Sequence, residues 1–119
     1  MKHQYVLGWH WLVDFMDCGA LPQRPEELER ILVEAATIAN ATVVQTCFHQ
    51  FSPHGLSGVV VIAESHLAAH TWPEHHAVCI DLFSCSEKMN SQAAIDYLGQ
   101  QFQAKDVRSQ LVRRGMPNP

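Results

Sequence analysis

The apolar run Gly58-Val59-Val60-Val61-Ile62-Ala63 reads as a well-buried strand, because its β-branched side chains fit a pleated, packed surface. It ends without a spacer on Glu64-Ser65-His66. Whatever follows must therefore leave a sheet abruptly. Upstream, Ala41 to Phe51 is again β-rich, and Ser52-Pro53-His54-Gly55 supplies turn chemistry between the two segments. Trp9, Trp11, Val13 and Phe15 alternate with more polar neighbours, the pattern of a strand with one buried face, and Gly19 is a natural stop. Downstream, Ala77 to Phe83 predicts a further strand with Val78, Ile80 and Leu82 on one face.

Two segments carry helical periodicity instead. Pro25-Glu26-Glu27 places proline in a first turn and acids near the positive end of the helix dipole. Leu28, Ile31, Leu32, Ala35 and Ala39 then form an apolar stripe. The second helix is expected from about Ser91 to Gln103, with Ala94, Ile95, Leu98 and Phe102 inward. Lys105 to Arg114, carrying Val107 and Leu111, is read as a last strand. The predicted order is β-α-β-β-β-α-β, an α+β two-layer sandwich with two helices on one face of a mostly antiparallel sheet. No linker or repeat divides it, so residues 1–119 form a single domain.

A net charge of −4 without a basic run gives no support to nucleic-acid binding. No apolar run reaches membrane-spanning length, and Met1-Lys2-His3-Gln4-Tyr5 does not open a secretory signal, so a cytoplasmic location is expected. Cys18, Cys47, Cys79 and Cys85 show no CxxC pair, which points to reduced thiols rather than a zinc or disulfide framework. At 119 residues the chain is small for a well-enclosed site, and burial shared with a second subunit is plausible.

The segment AESHLAAHTWPE, Ala63 to Glu74, closely resembles the self-processing region of the small bacterial and archaeal S-adenosylmethionine decarboxylases. The resemblance extends to Gly8-Trp9-His10, to Phe51-x-Pro53-x-Gly55 followed by Ser57-Gly58, and to Asp81-Leu82-Phe83-Ser84-Cys85, covering roughly residues 5–115. It implies the same two-layer sandwich, a homodimer, and a pyruvoyl cofactor that the chain makes from its own serine. Ser65 would attack the carbonyl of Glu64, and cleavage would leave a β chain, 1–64, and an α chain, 65–119, headed by the pyruvoyl group. Ser57 and His70 match the family's processing residues, with His70 the base for the α-proton. Cys85 matches its proton donor, and a thiol has suitable acidity for that task.

The implied reaction is decarboxylation of S-adenosylmethionine through a Schiff base at position 65, making the aminopropyl donor of spermidine and polyamine biosynthesis. Phe51 and Trp72 are the aromatic candidates for the purine and the sulfonium, Glu74 is the acid for the ribose hydroxyls, and Leu67 is counted with them as a substrate contact.

Plainer readings stand beside these. Ser65 alone would be a turn residue, Ser57 the end of a turn, Cys85 an inert buried thiol, and Phe51 and Trp72 core or interface aromatics. His66 and His70 have the spacing of two metal ligands on a helix, but the preceding strand and Pro73 argue against a helix there, and no metal is expected. His75 and His76 read as solvent-facing. Two departures from the family pattern are evident: Ser86 where glycine usually follows the cysteine, and Ala68-Ala69 where relatives carry a hydroxyl and a β-branched residue. Alternative functions are pyruvoyl chemistry on arginine or ornithine, and an unprocessed regulatory paralogue.

Overall fold

The computed structural model describes residues 6–115. Met1 to Tyr5, the segment tested for a secretory signal, lies outside the described residues. The elements are β1 (Gly8–Cys18), α1 (Pro25–Ile38), β2 (Val43–Gln50), β3 (Leu56–Ile62), β4 (Ser65–Trp72), β5 (Ala77–Ser84), α2 (Ser91–Gln101) and β6 (Ala104–Arg114). The strands form one six-stranded sheet in the order β2-β3-β4-β5-β1-β6. Every neighbouring pair is antiparallel.

Period-two alternation gives this sheet two unlike faces. Val13, Phe15, Val60, Ile62, Leu67, Val78, Ile80 and Leu82 point to one side, where both helices cover them. Helix α1 contributes Leu28, Ile31, Leu32 and Ala35, and α2 contributes Ala94, Ile95 and Leu98, so the predicted stripes are the observed ones. Pro25 occupies the first turn of α1, and the Asn90 side chain caps α2 by accepting from the N–H of Ala93 at 3.0 Å. Among the described residues, no helix is long and apolar enough to cross a membrane.

The other face has no helix on it. Val59 and Val61 are 38% and 40% exposed, so the apolar run that reads as a well-buried strand is covered on one side only. Leu12, Phe51 and Trp72 join them, which places half of the ten exposed large hydrophobic side chains among the described residues on this open face.

The expected element order is one strand short. Residues 65–72 form β4, hydrogen-bonded to β3 on one side and β5 on the other, so the order is β-α-β-β-β-β-α-β. Its alternation is faint because the inward residues are Leu67, Ala69 and Thr71, and alanine has little β preference of its own. Two flanking strands, rather than local propensity, hold this segment extended.

At Gly58 the packing leaves no room for a side chain unless Phe48 shifts. A Cβ there would come within 2.0 Å of the Phe48 ring on β2. Gly58→Ala is therefore expected to lower stability by about 1–3 kcal/mol, visible as a drop of several degrees in the thermal unfolding midpoint; an unchanged midpoint would contradict the packing described.

Candidate active site

The β3–β4 hairpin presents the Glu64–Ser65 peptide bond. Ile62 pairs with Ser65, leaving Ala63 and Glu64 as the two-residue connection. Glu64 takes a left-handed backbone conformation, φ 64°, which a non-glycine residue adopts only under local constraint. Glu64 is exposed and Ser65 is half-buried at the first position of β4. Cys85 lies just past the end of β5, and its N–H donates to the Ser65 hydroxyl at 3.3 Å.

A small network fixes the loop that carries Cys85. The buried Ser84 hydroxyl donates to the carbonyl of Ser86 at 2.8 Å and accepts from the Ser86 N–H at 3.2 Å. The Ser86 hydroxyl in turn accepts from the N–H of Lys88 at 3.1 Å. Ser86 is not among the residues with positive φ, so the glycine usual after the cysteine is not required by the backbone here.

A second cluster sits at the far end of the same hairpin, on the open face. Ser57 and His70 are register partners on β3 and β4, and their side chains share a 2.7 Å hydrogen bond between Oγ and Nδ1. The β3–β4 hairpin thus returns Ser57 to His70 rather than to Ser65 of the same chain. The Trp72 and Phe51 rings lie 4.4 Å and 5.8 Å from the His70 ring. Glu74 accepts from His54 Nε2 at 2.9 Å. Its carboxyl is held below the ordinary value, first by a backbone hydrogen bond within its own residue and then by His54.

The structure brings Ser65 to Cys85 and Ser57 to His70, but within one chain it separates the two pairs. Five residues of extended strand from Ser65 to His70 span about 17 Å. His70 is out of reach of the residue-65 α-proton in its own chain, because β4 is a strand and not a turn. The side chain of Leu67, counted above as a substrate contact, is 0% exposed in the core under the helices, since odd positions of β4 point away from the open face, which leaves its backbone as the part that could face a substrate. His66 and His70 share that open face but stand about 13 Å apart along the strand, too far to hold one ion. His75 and His76 are exposed, as expected. Ala68 lines the open face and Ala69 the core, both on the strand that begins at Ser65.

Sequence reading assigned no role to two side chains of the open face. Asp81 receives the Nε2 atoms of both His10 and His66, at 3.0 Å and 2.8 Å. Cys79 is the register partner of His70, beside an open depression of ≈ 500 Å³ that Ser57, His70 and Asp14 also line. Burial, with help from Asp14, pushes its thiol up to about 11. The signal for both was alternation: Cys79 and Asp81 are the positions between Val78, Ile80 and Leu82.

Residues 9–115 match the family model described as S-adenosylmethionine decarboxylase. The chain belongs to that family. It is 46% identical over 112 residues to the S-adenosylmethionine decarboxylase proenzyme of Acetivibrio thermocellus, covering 93% of this chain and 90% of that protein. The protein of the same name from Moorella thermoacetica is 44% identical over 115 residues, 96% of this chain and 92% of its own. Among solved structures, the adenosylmethionine decarboxylase of Aquifex aeolicus superposes with a TM-score of 0.84 at 33% identity, covering 95% of this chain and 94% of that one. The antiparallel sheet with two helices on one face is thus a shared family fold.

The four cysteines are free thiols in unlike settings. Cys85 is exposed, whereas burial raises the pKa of both Cys18 and Cys79. Since the thiolate is the reactive form, iodoacetamide at pH 8 is expected to modify Cys85 well before Cys18 or Cys79. Peptide mapping reads this directly, and equal rates at all three would contradict the placement.

Proposed function

We propose that this chain is a self-cleaving carboxy-lyase that decarboxylates S-adenosylmethionine, and that each of its sites is shared between two copies in a homodimer. The observation carrying the reading is the division of the family's processing residues between the two ends of β4. Ser65 and Cys85 lie at one end and Ser57 and His70 at the other, on an apolar face that no helix covers. A second copy laid face to face with its β4 running oppositely puts its Ser57–His70 pair over the first copy's Ser65. Two-fold symmetry then completes both sites at once. The same contact covers Leu12, Val59 and Val61, which a lone domain leaves in water.

The residues present fit a pyruvoyl group derived from Ser65. The serine follows a residue in left-handed backbone at an exposed hairpin, its hydroxyl is addressed by a backbone N–H, and a thiol stands in the adjoining loop. Cleavage between Glu64 and Ser65 gives chains 1–64 and 65–119. In processing, Ser65 Oγ is the nucleophile toward the Glu64 carbonyl carbon. Ser57 and His70 of the second copy supply, respectively, a hydrogen bond to the developing charge and a base for the α-proton of residue 65. The group, once formed, supplies the electron sink that no ordinary side chain offers. Cys85 returns a proton to the α-carbon after carbon dioxide leaves.

Phe51 and Trp72 flank His70 and would move with it to the shared site. There they offer faces to the purine and to the sulfonium cation, with Glu74 beside them for ribose hydroxyls. No observation favours arginine or ornithine as substrate, or a copy without catalysis. Free thiols at all four cysteines are consistent with a reducing compartment and support a cytoplasmic location.

Ser65→Ala is expected to remain a single full-length chain without decarboxylase activity, as read by intact mass; normal cleavage would overturn the site. Sharing has its own test. Ser65→Ala and His70→Ala chains are each expected to stay uncut alone. Expressed together, they should give cleavage of the His70→Ala chain only, because its Ser65 then meets His70 of the other copy. Absence of cleavage in the mixture would rule out the shared site.

A further inference from the structure

The group of side chains around Asp81 has no part in the mechanism above, although it lies beside Ser65. His10 Nδ1 is 3.1 Å from Arg114 Nη1, and His10 Nε2 and His66 Nε2 both reach Asp81 Oδ1, at 3.0 Å and 2.8 Å. Hydrogen-bond direction follows from chemistry. Arginine can only donate, so His10 Nδ1 accepts and its proton is on Nε2. A carboxylate can only accept, so both rings donate Nε2–H to Asp81. His66 in its neutral form therefore has its free lone pair on Nδ1.

The same proton positions decide between two uses of the cluster. The three ligating atoms lie within 4.8 Å of one another, close enough for a cation. A cation would need the Nε2 lone pair of His10, which the Arg114 contact turns into a donor. The hydrogen-bonded chain from Arg114 through His10 and Asp81 to His66 is the arrangement that satisfies every group.

We propose that His66 is a catalytic base whose Nδ1 takes a proton from the α-ammonium group of the substrate, with Asp81 as its positioning residue and His10 and Arg114 behind it. The proposal rests on the shared decarboxylase site of the preceding subsection. An ammonium group has no lone pair, so the substrate must lose this proton before its nitrogen can react at residue 65. One N–H bond breaks, one forms at Nδ1, and the imidazolium later releases its proton to water.

Position favours His66 for this task. It is the next side chain along the chain from residue 65, on the open face, opposite Phe83 in β5. Its ring stacks on Phe83 at 5.7 Å between centroids, and Cys85 follows two residues beyond. The charged and titratable groups around it are Asp81 on β5, His10 on β1 and, through His10, Arg114 on β6. Its register partner on β3 is the apolar Val61. A base held by a carboxylate on one nitrogen and free on the other has the geometry that orients general bases elsewhere.

The test uses purified, cleaved enzyme and His66→Ala. Attachment of S-adenosylmethionine to the α chain, captured by reduction and read by mass, is expected to slow by about 100-fold in the variant. Added imidazole should restore part of that rate, with little change in KM. A wild-type attachment rate, or a loss that imidazole does not restore, would overturn the proposal. Should His66→Ala stay uncut, ¹⁵N-histidine NMR of the folded Ser65→Ala proenzyme decides. An Nε2–H tautomer at His66 supports the assignment and an Nδ1–H tautomer overturns it. A wild-type protein that never cleaves would instead fail the decarboxylase reading, while the tautomer at His66 is still measured independently of cleavage.

Discussion

The extended backbone of β4 is the constraint on which the rest of the chemistry depends. A strand advances about 3.3 Å per residue, so residues that look adjacent in AESHLAAHTWPE are spread along one edge-to-edge span of the sheet. Flanking hydrogen bonds from β3 and β5 hold that extension on both sides. The hairpin before it concentrates the backbone constraint at Glu64, where the chain must turn within two residues. One strand thus sets Ser65, the proposed cleavage site, at its first residue and the Ser57–His70 pair near its last.

Cover on only one face of the sheet is the second determinant. The helices bury Leu67, Val60, Ile80 and Leu82 and leave Ser57, His70, Cys79 and Asp81 on the side without helices. Polar chemistry on a face also carrying Leu12, Val59 and Val61 makes sense when a second sheet excludes water from it, since electrostatic interactions strengthen in a dry site. At the loop, the hydrogen bonds of Ser84 and Ser86 hold the segment that carries Cys85.

Much of this is legible in the sequence, for reasons particular to each element. Helix stripes at Leu28–Ile31–Leu32 and Ala94–Ile95–Leu98 have unambiguous period, and Trp11–Val13–Phe15 alternates cleanly. Strand β4 does not show, because Ala68, Ala69 and two histidines dilute its alternation and its stability comes from its neighbours. The run Gly58–Ala63 reads as a well-buried strand although Val59 and Val61 are exposed, since an apolar side chain awaiting a partner looks the same in sequence as one covered by its own chain. The residue identities of the site come from the motif. Their distribution over two ends of a strand comes only from the register, which also turns the Leu67 side chain into the core. Asp81 escapes notice as a site residue because its meaning lies in His10 and His66, brought to it from β1 and β4.

The proposed shared site would also tie the making of the proposed cofactor to assembly. On the proposed arrangement an isolated chain has the nucleophile at Ser65 but not the base, so the ketone is not generated until the open faces have met. A ketone on an unpaired chain would stand in water, exposed to any passing amine. In the dimer it appears where Phe51 and Trp72 of the other copy already wall the space. Dividing the processing residues between the two ends of β4 therefore orders the events physically: burial first, cleavage second, substrate last. The sheet's alternation enforces that order with no additional element, since the face that carries the processing base is also the face that must be covered.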